Sequence, residues 1–335
     1  MLVRVPDYFD QFQCLAGACP YTCCEKWEVV IDPESAAFYQ TVPGDLGGKL
    51  RSALRVDEDG DVCFPLNGGR CPFLDGDNLC EIHKELGETA TSVTCREHPR
   101  FTEDYGPFRE ITLSASCTAA NALLLGSEAP LTFRSFETEE PEEDGDDWLT
   151  HLLPLRGRML DLLTDRSRPL KARLASFLAL ALAAQDCLEE DCPEELPEVG
   201  EAVLSPAAEG LFPAALSFLA SLEVMDPDWP ALLKQAETAE PGAVPQELLE
   251  RIAVYFAFRY LLKAVNDADL LGRAELCVLA VLVIERLTAV CGLAEAFRRF
   301  SCEIEHDDGN LDALLEAFAR DGALSPERFL AELGQ

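Results

Sequence analysis

Basic residues are scarce in this sequence: 27 Lys and Arg stand against 61 Asp and Glu, a formal net charge of −34. That balance argues against nucleic acid as the main partner, because each phosphate contact needs a Lys or Arg. It suits solubility and attraction to a basic protein surface. Long hydrophobic runs are missing too. The longest, Leu174 to Ala184 and Leu276 to Ile284, fall well short of the ~20 apolar residues that cross a bilayer as a helix. Both read as buried core helices, and no membrane partner is expected. The opening MLVRVPDYFD has no apolar secretory segment, so a cytoplasmic location is expected. No glycine-rich strand-to-helix turn occurs either. PGDLGGKL and LNGGRC lack the GxGxxG order, which argues against a Rossmann-type cofactor site.

What the chain does have is cysteine, fourteen in 335 residues, nine of them between Cys14 and Cys117. A chain this long, with 48% hydrophobic content, builds a core without disulfides. In a reducing compartment, thiols in such number point to metal ligation or catalysis. The Cys-x2-Cys hooks of a zinc knuckle are absent, and so is a Cys-x3-Cys-x2-Cys loop. The candidate ligands are Cys14, Cys19, Cys23, Cys24, Cys63, Cys71, Cys80 and Cys95. Thiolate sets of this kind suit zinc or iron–sulfur clusters. Neighbours in an extended chain face opposite ways, so Cys23 and Cys24 either serve different sites or one ligates while the other packs. His83 and His98, three residues after Cys80 and Cys95, have ligand-like spacing, although lone histidines more often orient a site by hydrogen bonding. His151 and His306 carry no signal.

Composition divides the chain into a cysteine-rich, metal-binding domain over residues 1–126, an acidic linker over 127–147 and a helical domain over 148–335. The first part is rich in Gly, Pro and turn pairs. Within it, WEVVID predicts a strand, and PESAAFYQTV predicts a helix opening at Pro33 behind an Asp32 cap. The last part repeats apolar residues at helical spacing throughout and shows no sustained alternation. The predicted fold is mainly α: a loop-rich cysteine cluster packed on an all-α domain. Cys277 and Cys291 lie on apolar helix faces and read as small buried hydrophobes.

The order Cys14-x4-Cys19-x3-Cys23-Cys24, followed by CPFLDGDNLCEIH and CREHPR, resembles the CxxCxxCC (YkgJ-like) zinc- or iron-chelating domain. More closely, Phe12 to Asp32, LSASCTAANALLL and YFAFRYLLKAVNDADLLGR resemble the flagellin lysine-N-methylase (FliB) family. The resemblance implies a cytoplasmic enzyme that moves the methyl group of S-adenosylmethionine to lysines of flagellin, accompanied by an iron–sulfur cluster of the 4Fe-4S type, with zinc as the alternative metal. Thr118 and Asn121 depart from the family pattern after Cys117, which removes an acidic residue expected there. Methyl transfer to lysine needs a neutral amine, so groups that hold or accept its proton are required. The candidates are Tyr255, Arg259, Tyr260 and Asp267; Tyr255, Arg259 and Lys263 form a stripe at i, i+4 and i+8. The bland reading makes that stripe a solvated helix face. The competing function is a non-catalytic zinc- or iron-chelating protein.

Overall fold

The computed structural model describes residues 1–57, 60–198, 210–240, 242–320 and 322–334. The mainly α expectation holds: fourteen α-helices and seven short strands are formed among them. The strands are β1 (Leu2–Pro6), β2 (Val29–Val30), β3 (Arg55–Val56), β4 (Val62–Phe64), β5 (Arg100–Asp104), β6 (Phe108–Leu113) and β7 (Phe133–Glu137). None of the described helices is long and apolar enough to cross a membrane.

Two hydrophobic cores result. The smaller gathers Val29, Ile31, Tyr39, Leu50, Phe64, Phe73 and Ile82 beneath the antiparallel sheet β2-β4-β3. Asp32 caps the helix Pro33–Thr41 as expected, accepting from Ser35 N at 2.9 Å. The next helix, Gly44–Ala53, packs so tightly on the preceding turn that a Cβ at Gly47 would lie 1.8 Å from the Val42 carbonyl oxygen. Backbone cannot yield as a flexible side chain does, so Gly47→Ala is expected to destabilise this unit by about 1–3 kcal/mol in urea unfolding.

The larger core is helical. Its centre is Leu270–Cys291, a helix apolar on nearly every side, with Leu276, Cys277, Val278, Leu279 and Ala280 at most 1% exposed. A helix of that composition must be surrounded. Gln246–Tyr260, Leu170–Glu189 and Leu293–Glu305 surround it. Cys277 is buried as expected, and Cys291 is partly so.

A second sheet, ordered β5-β6-β1-β7, belongs to this larger core through Tyr105, Phe108 and Leu113. β1 runs parallel to β6, pairing Leu2 with Phe108, and antiparallel to β7. The stretch read as an acidic linker therefore contributes an edge strand, Phe133–Glu137. Farther along, it crosses the β5–β6 turn, where Glu143 N donates to Gly106 O at 3.1 Å. The sheet is fixed to the helices by a buried pair, the two Glu110 carboxylate oxygens each taking a 2.6 Å bond from Arg156.

Candidate functional site

Where the sheet meets the helix Gln246–Tyr260, a polar group is sealed inside the protein. Arg259 Nε lies 2.9 Å from Glu305 Oε1, with side-chain exposures of 4% and 0%. The same carboxylate accepts from the Tyr255 hydroxyl at 3.0 and 3.2 Å and from the Tyr260 hydroxyl at 3.1 Å. Arg259 also donates to Thr112 Oγ1 on β6 at 3.2 Å, and its guanidinium carbon sits 3.4 Å from the Phe101 ring centre. Burial raises both tyrosines above their ordinary pKa, so they act here as hydroxyl donors. The solvated reading of the stripe is thus overturned at Tyr255 and Arg259, because their helix face is turned inward against β5, β6 and Leu293–Glu305. Tyr260 joins the same buried group. Asp267 stands apart, half-exposed and paired with Arg273 at 2.7 Å. Lys263 pairs with Glu103 on β5.

The residue after Glu305 extends this group toward the cysteines. The His306 ring stacks on Trp27 with centroids 5.2 Å apart and planes 3° from parallel. It also lies 5.8 Å from the His98 ring and 5.2 Å from Phe101. Its Nε2 is 2.8 Å from Ser114 Oγ and 2.7 Å from Ser116 Oγ. Burial lowers His98 to about 4. Burial, with His98 and Arg259 nearby, lowers His306 to about 3. Both imidazoles are therefore neutral near pH 7. Below an unfolded-state pKa of about 6.5, the unfolded chain binds protons that these folded imidazoles refuse, so stability falls as pH falls until the folded values are reached. The thermal midpoint is expected to drop between about pH 7 and about pH 5, and His306→Asn should reduce that drop. An identical drop in the variant would show that other groups carry it.

The cysteines approach from the other side. Backbone bonds stitch three segments together: Cys71 N donates to Cys24 O at 2.8 Å, Lys26 N to Gly69 O at 2.9 Å, and Glu81 N to Phe73 O at 2.8 Å. The helix Val93–Glu97, capped by Ser92, is tied in by Val93 N donating to Asp32 Oδ2 at 2.8 Å. Cys24, Cys71, Cys80 and Cys95 thereby come within electrostatic reach of one another, each like charge opposing the next thiol's ionisation. Burial is the leading cause at Cys71, pushed up to about 12, and at Cys95, pushed up to about 11. The adjacent pair divides: the hydrogen bond between them raises Cys23 and lowers Cys24 to about 7. Cys23 also feels Cys95 and Cys14. Cys117, outside the predicted ligand set, feels Cys19 and Cys14. The Cys63 thiol donates to Glu28 Oε2 at 3.4 Å, near Asp57 and Asp61.

Cys14, Cys19, Cys23, Cys24, Cys71, Cys80 and Cys95 form no disulfide among the described residues. The donor set fits a thiophilic metal in its chemistry, while among the described residues no three His, Cys, Asp or Glu side chains are placed to hold a metal ion. The cysteine region is held against the helices by Lys26 to Asp226 at 2.5 Å and by Arg298 over the Tyr21 ring at 3.8 Å. Sequence reasoning missed Glu305, His306 and Cys117 as members of this seam.

Comparison with known proteins gives the chain relatives. It is 28% identical over 135 residues to the lysine-N-methylase of Salmonella typhimurium, covering 37% of this chain and 32% of that protein. Over that stretch the chain is similar to a protein named lysine-N-methylase. The lysine-N-methylase of Salmonella choleraesuis matches at the same 28% over the same length. The flagellar biosynthetic protein FliU of Salmonella muenchen also matches at 28%, over 76% of its own length. The match therefore spans about a third of the two lysine-N-methylases. No family model matches, and no solved structure does.

Proposed function

We propose that this chain is a protein-lysine N-methyltransferase acting on flagellin, with S-adenosylmethionine as methyl donor and a metal or iron–sulfur cluster held by cysteines. The observation that carries the reading is the relationship to proteins named lysine-N-methylase. The seam adds a chemical rationale. An incoming lysine must lose its proton before its nitrogen attacks the methyl carbon as the sulfur–carbon bond breaks. Burial and the Arg259 cation both favour the neutral amine. Tyr255 and Tyr260 hold Glu305 in place by donating to it, and Glu305 takes the acidic role, while Asp267 pairs with Arg273. The neutral imidazoles of His98 and His306 add no competing positive charge beside this group. Cys24, Cys71, Cys80 and Cys95, with Cys14, Cys19 and Cys23, would hold the metal.

A second reading, a non-catalytic zinc or iron chelator, is favoured by the gathered free thiols alone. The deciding experiment incubates flagellin with S-adenosylmethionine and the anaerobically purified, metallated protein, then reads the intact mass of flagellin. Methyl-sized increments on lysines are expected. Their absence, with metal present, leaves the chelator.

A further inference from the structure

Among the described residues six arginines are buried: Arg156, Arg173, Arg251, Arg259, Arg273 and Arg298. Five pair with a carboxylate: Glu110, Glu250, Glu305, Asp267 and Glu295 in turn. Arg251 is the exception among the described residues. It is 2% exposed, and its Nε and Nη1 donate at 2.7 Å to the carbonyls of Leu124 and Ala129. A buried guanidinium normally keeps an anion beside it, because desolvating an unpaired charge is costly.

Arg251 lines a cleft of about 380 Å³ with Asp7, Tyr8, Gln11, Leu123 and Ser127. Tyr8 is 3% exposed, and its hydroxyl has no hydrogen-bond partner among the described residues. A buried hydroxyl left empty-handed costs stability unless a ligand or water completes it. A buried hydroxyl without an acceptor and a buried cation bonded only to carbonyls thus share one cleft. Asp7 supplies the opposite sign from an exposed position, with its Oδ2 taking bonds from Thr132 N and Oγ1 at 3.2 and 2.9 Å. The volume lies in the range of small-molecule sites. Tyr8 also feels the charges of Glu305 and Arg259.

We infer that the cleft binds the α-amino-carboxylate head of a small molecule, carboxylate toward Arg251 and Tyr8 and ammonium toward Asp7. Two sources carry that head, S-adenosylmethionine and a free amino acid. Naming the first rests on the methyl-transfer reading, whereas the head-group chemistry does not.

Titration calorimetry on the metallated full chain separates the cases, using S-adenosylmethionine, its decarboxylated analogue and methionine as probes. The variants are Tyr8→Phe, which removes only the unpartnered hydroxyl, and Arg251→Gln, each checked for an unchanged thermal midpoint. S-adenosylmethionine is expected to bind, with the decarboxylated analogue and Arg251→Gln each at least about tenfold weaker and Tyr8→Phe several-fold weaker. Should Arg251→Gln not fold, Tyr8→Phe and the decarboxylated analogue decide. If methionine alone binds and responds to the variants, the cleft stands and the source is a free amino acid. Binding of S-adenosylmethionine that is indifferent to both variants overturns the cleft and leaves the methyl-donor reading intact. Absence of binding by all probes overturns both.

Discussion

Glu305→Ala should cost about 3–5 kcal/mol of stability in urea unfolding, the scale for breaking a buried ion pair by removing one partner. The carboxylate is fully shielded and serves three side chains at once: the Arg259 guanidinium and the hydroxyls of Tyr255 and Tyr260. Alanine leaves a buried cation and two buried donors without an acceptor, each carrying its own desolvation penalty. Glu305→Gln separates structure from chemistry. It keeps the shape and an acceptor oxygen, so it should lose less stability than alanine. If Glu305 acts in proton handling at the seam, glutamine should nevertheless abolish flagellin methylation. Retained activity in a folded glutamine variant would confine Glu305 to a structural role.

The parts of this arrangement legible in the sequence are local ones. The Asp32–Pro33 helix start follows from capping chemistry within three residues, and the buried helix Leu270–Cys291 follows from an apolar run too short to span a membrane. Tyr255, Arg259 and Tyr260 were visible as an unusual polar group on an apolar helix. Whether that group faced water was not visible, because the answer depends on β5, β6 and Glu305. The pairing that forms β1 and β6 joins Leu2 to Phe108, and no local pattern specifies a partner at that separation. His306 illustrates the same limit. Alone in its segment, it acquires meaning from Trp27, His98, Ser114 and Ser116, all contributed by the first part of the chain. The setting of Cys63 was hidden for a different reason. Cys63 alternates with Phe64 along β4, and Phe64 faces Tyr39 and Phe73 in the small core, so period-two geometry turns the thiol toward the other face, beside Glu28.

That difference in facing leads to the sharpest contrast among the cysteines. Cys71→Ser and Cys63→Ser make the same chemical change at two buried thiols, 9% and 2% exposed. Cys71 is anchored by its own amide to the Cys24 carbonyl and shares charge with Cys24, Cys80 and Cys95, whereas Cys63 bonds to a carboxylate. If the gathered thiols hold the metal, Cys71→Ser should lose most of the bound metal, since a weak hydroxyl donor replaces a thiolate in a set that prefers sulfur. Cys63→Ser should keep it. Metal analysis of anaerobically purified proteins, read beside their absorption spectra, makes the comparison, and circular dichroism confirms that both variants fold. Equal loss in the two would mean that the metal is held elsewhere, or that β4 turns over when metal binds. Cys117→Ser then tests how far the set extends. Cys117 is the N-cap residue of the helix Thr118–Leu125 and feels Cys14 and Cys19 but was absent from the predicted ligands. Metal loss there would tie the cysteine region to the helix whose Leu124 carbonyl receives Arg251, and so place the metal and the amino-carboxylate cleft on one continuous element.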